Sequence, residues 1–398
     1  MLLLTIMTKN YLIIGASAAG IGCALRLRML DAAATITVLN AESDLPYNKC
    51  LLADVLLQEK SFDEITLCTR AMLVQKQIDL VCDAKVVAID SARKLVRVAD
   101  LSAERTFTYD SLCVAVGRSP WMLPLFKDAN LTNVFNFYYK SDLAQVIDYI
   151  NFHTPRSAIV IGGGLTGLEA ADGLRARGLM VTMVESAEHL LPLLVNGPAA
   201  SVIRGHVDAA GVSVLTSEMV TSYEVADTRI TALCTQSGRE INTDLVVCAV
   251  GARPNTSFLP AEIALQDGYC VVSDTLQASM PDVYAAGDCC TVYDQLTKRV
   301  QPSSLWPDAM QQGMCAAYGM TGVSKQYAGS VSIAASGFFG IKVAVAGSVS
   351  IQTHQKINEF EGEGWYHRFV YEQDKLVGFM LIGNTGDLSQ YRRQLLSQ

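Results

Sequence analysis

The chain has 398 residues, half of them hydrophobic and only 18% charged, with a net charge of −8. That length predicts two or three domains, and the low charge predicts burial of the kind found in parallel sheets covered by helices. An acidic balance without basic clusters excludes a nucleic-acid binder, and no apolar run reaches the ~18 residues of a membrane-spanning helix.

The opening MLLLTIMTKN is too short, and lacks the basic start, for a signal peptide; translation can begin at Met7, just before the first strand. Residues 11–20 read YLIIGASAAG: an apolar strand running into Gly15-x-Ser17-x-x-Gly20, then the helical run IGCALRLRML, then the strand ATITVL, which ends just before Glu42. This is a βαβ dinucleotide pattern. Its glycines let backbone N–H groups and a helix N-terminus face a pyrophosphate, and its acidic residue takes ribose hydroxyls. Ser17 replaces the middle glycine, so the motif alone reads equally as a tight strand–helix turn.

Next comes DLPYNKCLLADVL (44–56), with Cys50 between a turn and an apolar run that opens a helix. Residues 112–120, LCVAVGRSP, form a buried strand ending in Gly and Arg. At 158–167, AIVIGGGLTG repeats the phosphate device with all three glycines, Gly162, Gly164 and Gly167. A helix and the strand MVTMVE follow, and Glu185 ends that strand close to the ~20 residues expected after the loop. A carboxylate there accepts from a free 2′-hydroxyl and repels a 2′-phosphate, which favours NADH over NADPH; Arg175 and Arg177 on the preceding helix are placed to moderate it. Glu169 opens that helix, and is either a group near the nicotinamide or a first-turn carboxylate suited to the helix dipole. Two such loops in one chain point to a flavin and a nicotinamide dinucleotide exchanging electrons.

The strand LVVCAVGARP (245–254) nearly copies 112–120, MPDVYAAGDCC (280–290) carries a Gly287-Asp288 pair, and LWPDAMQQG (305–313) opens another helix. MTGVSKQYAGS (320–330) reads as a linker. WYHRFVYEQDKLVGFMLIGNTGD (365–387) reads as a hairpin turning at Gln373-Asp374 and packing on a final helix. The eleven cysteines include no C-x-x-C pair and no zinc spacing, so a reducing cytoplasm and no metal are expected. Adjacent Cys289 and Cys290 read as packed thiols and Cys23 as core. His153, His189, His206, His354 and His367 show no metal-like pairing, and His367 reads as a surface residue on a strand.

Together these segments resemble the FAD-dependent pyridine nucleotide–disulfide oxidoreductases, over nearly the whole chain. The nearest branches are the NADH-dependent rubredoxin and ferredoxin reductases and the flavin part of assimilatory nitrite reductases. The resemblance implies an α/β fold: two Rossmann-like three-layer dinucleotide-binding domains, the NAD domain inserted in the FAD domain, plus a small α+β C-terminal domain. The boundaries are 1–118 and 245–322 for FAD, 119–244 for NAD, and 323–398 for the tail. It makes Gly15, Ser17, Ala18, Ala19, Gly20, Glu42, Lys49, Cys50, Val86, Val116, Gly117, Arg118, Gly251, Gly287, Asp288, Trp306 and Ala309 cofactor-binding residues. Asp288 bonds the ribityl chain and the helix after Leu305 points at the flavin pyrimidine. Trp306 reads as flavin neighbour or core packing. Gly162, Gly164, Leu165, Thr166, Gly167 and Glu185 hold NAD(P)H.

Tyr47-Asn48-Lys49-Cys50 also matches the Tyr-x-x-Cys of a sister group, the CoA-disulfide reductases, NADH oxidases and NADH peroxidases. There the cysteine is redox-active beside the flavin, so Cys50 and Glu169 are the catalytic candidates. The other reading of Cys50 is a buried apolar filler, favoured by Ala18 where oxidases carry His. The implied reaction takes electrons from NADH through FAD to a rubredoxin- or ferredoxin-like protein. The alternatives are a thiol, disulfide or persulfide reaction at Cys50, a thiol oxidase, or a non-catalytic flavoprotein redox sensor. No nucleic acid or membrane partner is expected, and family analogy allows a homodimer.

Overall fold

The computed structural model describes residues 8–99, 105–127, 129–347 and 354–397; the expectation for Met7 lies outside them. The chain gathers into two compact units. One comprises Met1–Asn48, Asp63–Ser119 and Arg253–Val331; the other comprises Lys49–Phe62, Pro120–Ala252 and Ser332–Gln398.

In the first unit the strands Asn10–Ile14, Thr35–Leu39, Asp79–Val81, Ser111–Val114 and Val283–Ala285 form one parallel sheet. Asn10–Ile14 is central, with Thr35–Leu39 on one side and Ser111–Val114 on the other. These strands are apolar along nearly their whole length because both faces are covered. Helices Ala18–Leu30 and Trp306–Met320 pack together against this core. Their approach depends on small residues: a Cβ on Gly313 would overlap the carbonyl oxygen of Ala19, and one on Gly22 would lie 2.7 Å from that of Met310. An antiparallel meander, Val86–Asp90, Leu95–Val98 and Arg105–Thr108, sends Val86, Ile89, Val96 and Val98 into the same core. The segment 320–330 is tied to this unit, with Tyr327 N–H donating to Asp274 O at 2.7 Å and Ser330 N–H to Tyr293 O at 2.8 Å.

The second unit repeats the plan. Ser157–Ile161 is central in a parallel sheet with Met180–Val184, Ser213–Leu215, Leu245–Cys248 and Val134–Asn136. Helices Lys140–His153, Leu165–Ala176 and Gly197–Ala209 and the antiparallel strands Val220–Ala226, Arg229–Thr235 and Glu240–Asn242 belong to it. Its C-terminal part is a five-stranded antiparallel sheet, Ile333–Phe338, Ile341–Ala346, Lys375–Gly383, Trp365–Glu372 and Lys356–Gly362, with helix Leu388–Leu396 packed on it. The expected hairpin is present. Gln373 and Asp374 both have positive φ, 49° and 62°, as a two-residue turn between right-twisted strands requires. The α/β class expected from the sequence is therefore the observed one, with two parallel sheets and a sheet-rich C-terminal part. Among the described residues no helix is long and apolar enough to cross a membrane.

Candidate functional site

The first glycine loop leaves strand Asn10–Ile14 and enters helix Ala18–Leu30. Gly15 has φ +109°, and a Cβ there would overlap Ala115 O; a Cβ on Gly20 would overlap Gly15 O. Both glycines thus serve close packing. Ser17 caps the helix with extended backbone and, among the described residues, without a side-chain cap bond; Ala18 and Ala19 are buried behind it. No acidic residue lies in the first turn, so the positive end of the helix keeps its full attraction for an anion. Beyond the second strand, Glu42 Oε2 accepts from Tyr47 Oη at 2.7 Å, and the Asn40 amide donates to Asp44 O at 2.8 Å. These bonds fold 40–47 back on itself and fix the carboxylate.

Four further segments of this unit carry expected residues. Val86 opens the meander and is buried. Gly117, at φ +60°, follows Val116, whose carbonyl accepts the Asn255 amide at 3.0 Å. The Arg118 guanidinium lies 3.3 Å from Asp288 Oδ2. Gly287 has φ +83°, and a Cβ on it would stand 3.0 Å from Ala19 Cβ and 3.6 Å from Ala309 Cβ. Trp306 begins helix Trp306–Met320 half-buried against the core, and Ala309 is buried one turn later. Gly15, Ser17, Ala18, Ala19, Gly20, Glu42, Val86, Val116, Gly117, Arg118, Gly287, Asp288, Trp306 and Ala309 thus all belong to one unit, while Lys49, Cys50 and Gly251 belong to the other.

The second loop leaves Ser157–Ile161 and enters Leu165–Ala176. Cβ atoms on Gly162 and Gly167 would overlap Ala249 O and Gly162 O, whereas one on Gly164 would meet no described atom within 4 Å. The first and third glycines are packed and the second leaves an open approach to the helix N-terminus, where Leu165 is half-buried and Thr166 exposed. That division is what a dinucleotide pyrophosphate needs. Glu185 is 9% exposed and organises the loop: Oε2 accepts the Gly163 N–H at 2.6 Å and Oε1 accepts the Ala187 N–H at 2.7 Å. The two arginines expected to moderate it are engaged elsewhere. Arg175 Nε donates to Ala210 O, and Arg177 donates to Leu56 O at 2.8 Å and to Val55 O at 3.4 Å, with its pKa lowered by burial.

Glu169 does not lie in the first turn; the helix begins at Leu165, so a helix-dipole role is corrected. Its Oε1 accepts from Ser336 Oγ at 2.6 Å, one turn before Asp172 accepts the Phe339 N–H at 2.7 Å. Burial raises the Glu169 pKa, the Ser336 hydrogen bond opposes that shift, and the Asp54 charge adds to it.

Cys50 is exposed, which overturns the buried-filler reading. It sits in the 3₁₀ turn Lys49–Leu51 before the five-residue helix Leu52–Leu56. The Lys49 ammonium stands over the rings of Tyr139 and Tyr138, at 4.2 and 5.1 Å from their centroids. Cys289 and Cys290 are fully buried packed thiols: Cys289 donates towards Val114 O and Ala286 O at 3.5 Å, and Cys290 towards Gly287 O at 3.3 Å. Cys23 is buried against Met320. His189, His206 and His367 donate to backbone carbonyls, His153 stacks on Tyr149 and His354 faces Glu372. His367 is half-buried on its strand. Among the described residues no cluster is fit to hold a metal. Asn255 and Gln312, which shape these loops, were not legible as site residues, because their hydrogen bonds reach segments distant in sequence and leave no spacing pattern.

Comparison with known proteins agrees with this geometry. Residues 9–313 match the family model described as pyridine nucleotide-disulphide oxidoreductase. An NADH oxidase of Methanocaldococcus jannaschii is 28% identical over 82% of this chain and 73% of that protein. The assimilatory nitrate reductase electron transfer subunit of Bacillus subtilis is 31% identical over 91% of this chain; the match spans 46% of that longer protein. The solved structure of reduced Bacillus anthracis CoADR-RHD superposes with a TM-score of 0.88, covering 98% of this chain and 74% of that one at 22% identity, a likeness of fold.

Proposed function

From membership of the pyridine nucleotide-disulphide oxidoreductase family, to which this chain belongs, we propose that it passes electrons from NADH through FAD to a small redox protein. It is an FAD-dependent NAD(P)H oxidoreductase. We assign FAD to 1–118 with 245–322, NAD(P)H to 119–244, and a C-terminal domain to 323–398. The observation that carries the reading is the matched pair of loops, each with first and third glycines locked by packing.

When bound, the flavin supplies the carrier that accepts a hydride from the reduced nucleotide and releases electrons to an acceptor. The protein's own groups do the holding. At the NAD loop, Gly164 leaves room for phosphate, the helix beginning at Leu165 presents its positive end, and Glu185 stiffens the turn while selecting a 2′-hydroxyl. At the FAD loop the equivalent helix lacks first-turn acids; Glu42 would hold the ribose and Asp288, paired with Arg118, would hold the ribityl chain. No group in either loop needs to move a proton, so orientation and fixed electrostatics supply the catalysis.

An electron-transfer subunit among the relatives favours a protein acceptor. The exposure of Cys50 keeps a second reading, a thiol or disulfide reaction at that sulfur. Eleven cysteines without a C-x-x-C pair suit a reducing cytoplasm.

The test is anaerobic. Purified holoprotein mixed with NADH under argon loses its yellow absorbance; a colourless polypeptide that takes up no supplied FAD overturns the proposal. Cys50→Ser then retains both NADH-to-dye and acceptor-linked turnover, whereas selective loss of the second moves the assignment to thiol chemistry.

A further inference from the structure

The turn that carries Asp288 is held from behind by a side chain outside both glycine loops. Gln312, on helix Trp306–Met320, is 0% exposed. Its Oε1 accepts the Gly287 N–H at 2.7 Å and lies 3.5 Å from Cys290 Sγ, while the Cys290 thiol donates to Gly287 O at 3.3 Å. Gly287 itself is at φ +83°, a conformation glycine adopts without strain, and Ala19 Cβ stands only 3.0 Å from where its Cβ would be.

The orientation of the amide is settled by its partner, since only an oxygen can accept from the inward-facing Gly287 N–H. Its other end, Nε2, makes no well-formed hydrogen bond among the described residues and faces the Tyr327 hydroxyl, whose pKa burial raises and the amide pulls back down. A buried amide satisfied at one end costs more than a leucine or methionine of similar size, unless accepting from Gly287 is its task. Without that acceptor the N–H would be an orphan inside the core, and the turn would relax to find another partner. The residue that moves with such a relaxation is the next one, Asp288, whose carboxylate meets Arg118 at 3.3 Å.

We infer that Gln312 is a positioning residue: its amide oxygen locks the Gly287 turn and thereby aims the Asp288 carboxylate at the ribityl hydroxyls of FAD. The inference rests on the assignment of Asp288 to FAD. It is tested on holoprotein by the rate of FAD release after dilution, read by flavin fluorescence, alongside the visible spectrum and the thermal unfolding midpoint. Gln312→Met, which keeps length but removes the acceptor, releases FAD at least tenfold faster. Gln312→Glu, whose carboxyl oxygen can accept in the same place, returns the rate towards wild type. In an Asp288→Ala background Gln312→Met adds little, because the group it aims is gone; a purely structural role would add in both backgrounds. Should Gln312→Met not fold, Gln312→Asn, which withdraws the oxygen by one carbon, takes its place in the cycle. Release at the wild-type rate from the acceptor-less variant, equal acceleration in both backgrounds, or failure of Gln312→Glu to recover any of the loss overturns the inference. Those outcomes occur in yellow protein. A wild-type chain that binds no FAD instead overturns the assignment of Asp288 and the inference with it.

Discussion

At the scale of single residues, two carboxylates with different environments make different predictions. Glu185 accepts two backbone N–H bonds, which hold Gly163 against strand Met180–Val184. Glu185→Gln keeps one acceptor and loses the charge. A charge-assisted bond is worth about 1.5–3 kcal/mol, so the kcat/KM preference for NADH over NADPH falls by about tenfold or more in steady-state assays with a dye acceptor. An unchanged preference removes Glu185 from nucleotide selection. Glu169 is the opposite case. Its folded pKa is raised by burial above the ordinary 4.5. A group whose pKa rises on folding contributes its full stability below the unfolded value and loses it as pH climbs through the folded value. Relative to Glu169→Gln, wild type therefore weakens as pH rises from about 4.5 towards neutrality, and denaturant midpoints taken at successive pH values diverge in that direction. Parallel midpoints would show that Ser336 fully compensates the burial.

At the scale of elements, the glycines separate packing from binding. Gly313→Ala should gain about 1 kcal/mol of helix propensity. Its Cβ, however, would overlap the carbonyl oxygen of Ala19, a backbone atom that cannot turn aside. Overpacking costs about 1–3 kcal/mol, more where backbone must shift, so packing wins and the variant melts earlier. Gly164 has an ordinary φ of −76° and open space where a Cβ would be. Gly164→Ala thus leaves unfolding within about 0.5 kcal/mol of wild type, while the methyl blocks the pyrophosphate and raises the KM for NADH. If both substitutions change the melt equally, the division into packed and open glycines fails. These loops were readable because tight turns demand glycine at fixed spacing, and the Gln373-Asp374 hairpin because alternating strands flank two turn-forming residues. The buried-filler reading of Cys50 and the helix-dipole reading of Glu169 failed for a common reason: burial and helix register depend on what packs from elsewhere. The spacing around Cys50 says nothing about its exposure, and the helix carrying Glu169 starts two residues before Gly167.

At the scale of the whole chain, the α/β class was legible because two strand–loop–helix–strand units with apolar strands admit few other folds. The grouping of Lys49–Phe62 with Pro120–Ala252 was not legible, since it rests on packing of Leu56 against Gly173 and on the Arg177 bond to Leu56 O. Net charge is a property of this same scale and sets how an acceptor arrives. With −8 overall, encounter with a redox protein is governed by long-range fields, which salt screens over about 10 Å at 0.1 M. A protein acceptor with a complementary face is steered in at low salt, so its second-order rate falls several-fold between about 20 and 500 mM salt, mostly through the association rate. A small neutral dye or disulfide feels little of that field and keeps its rate. The two titrations, run on one preparation with NADH saturating, separate the readings. A falling protein-acceptor rate beside a flat dye rate supports docked electron transfer, whereas two flat lines remove charge-guided docking and leave the exposed residue Cys50 as the group to follow.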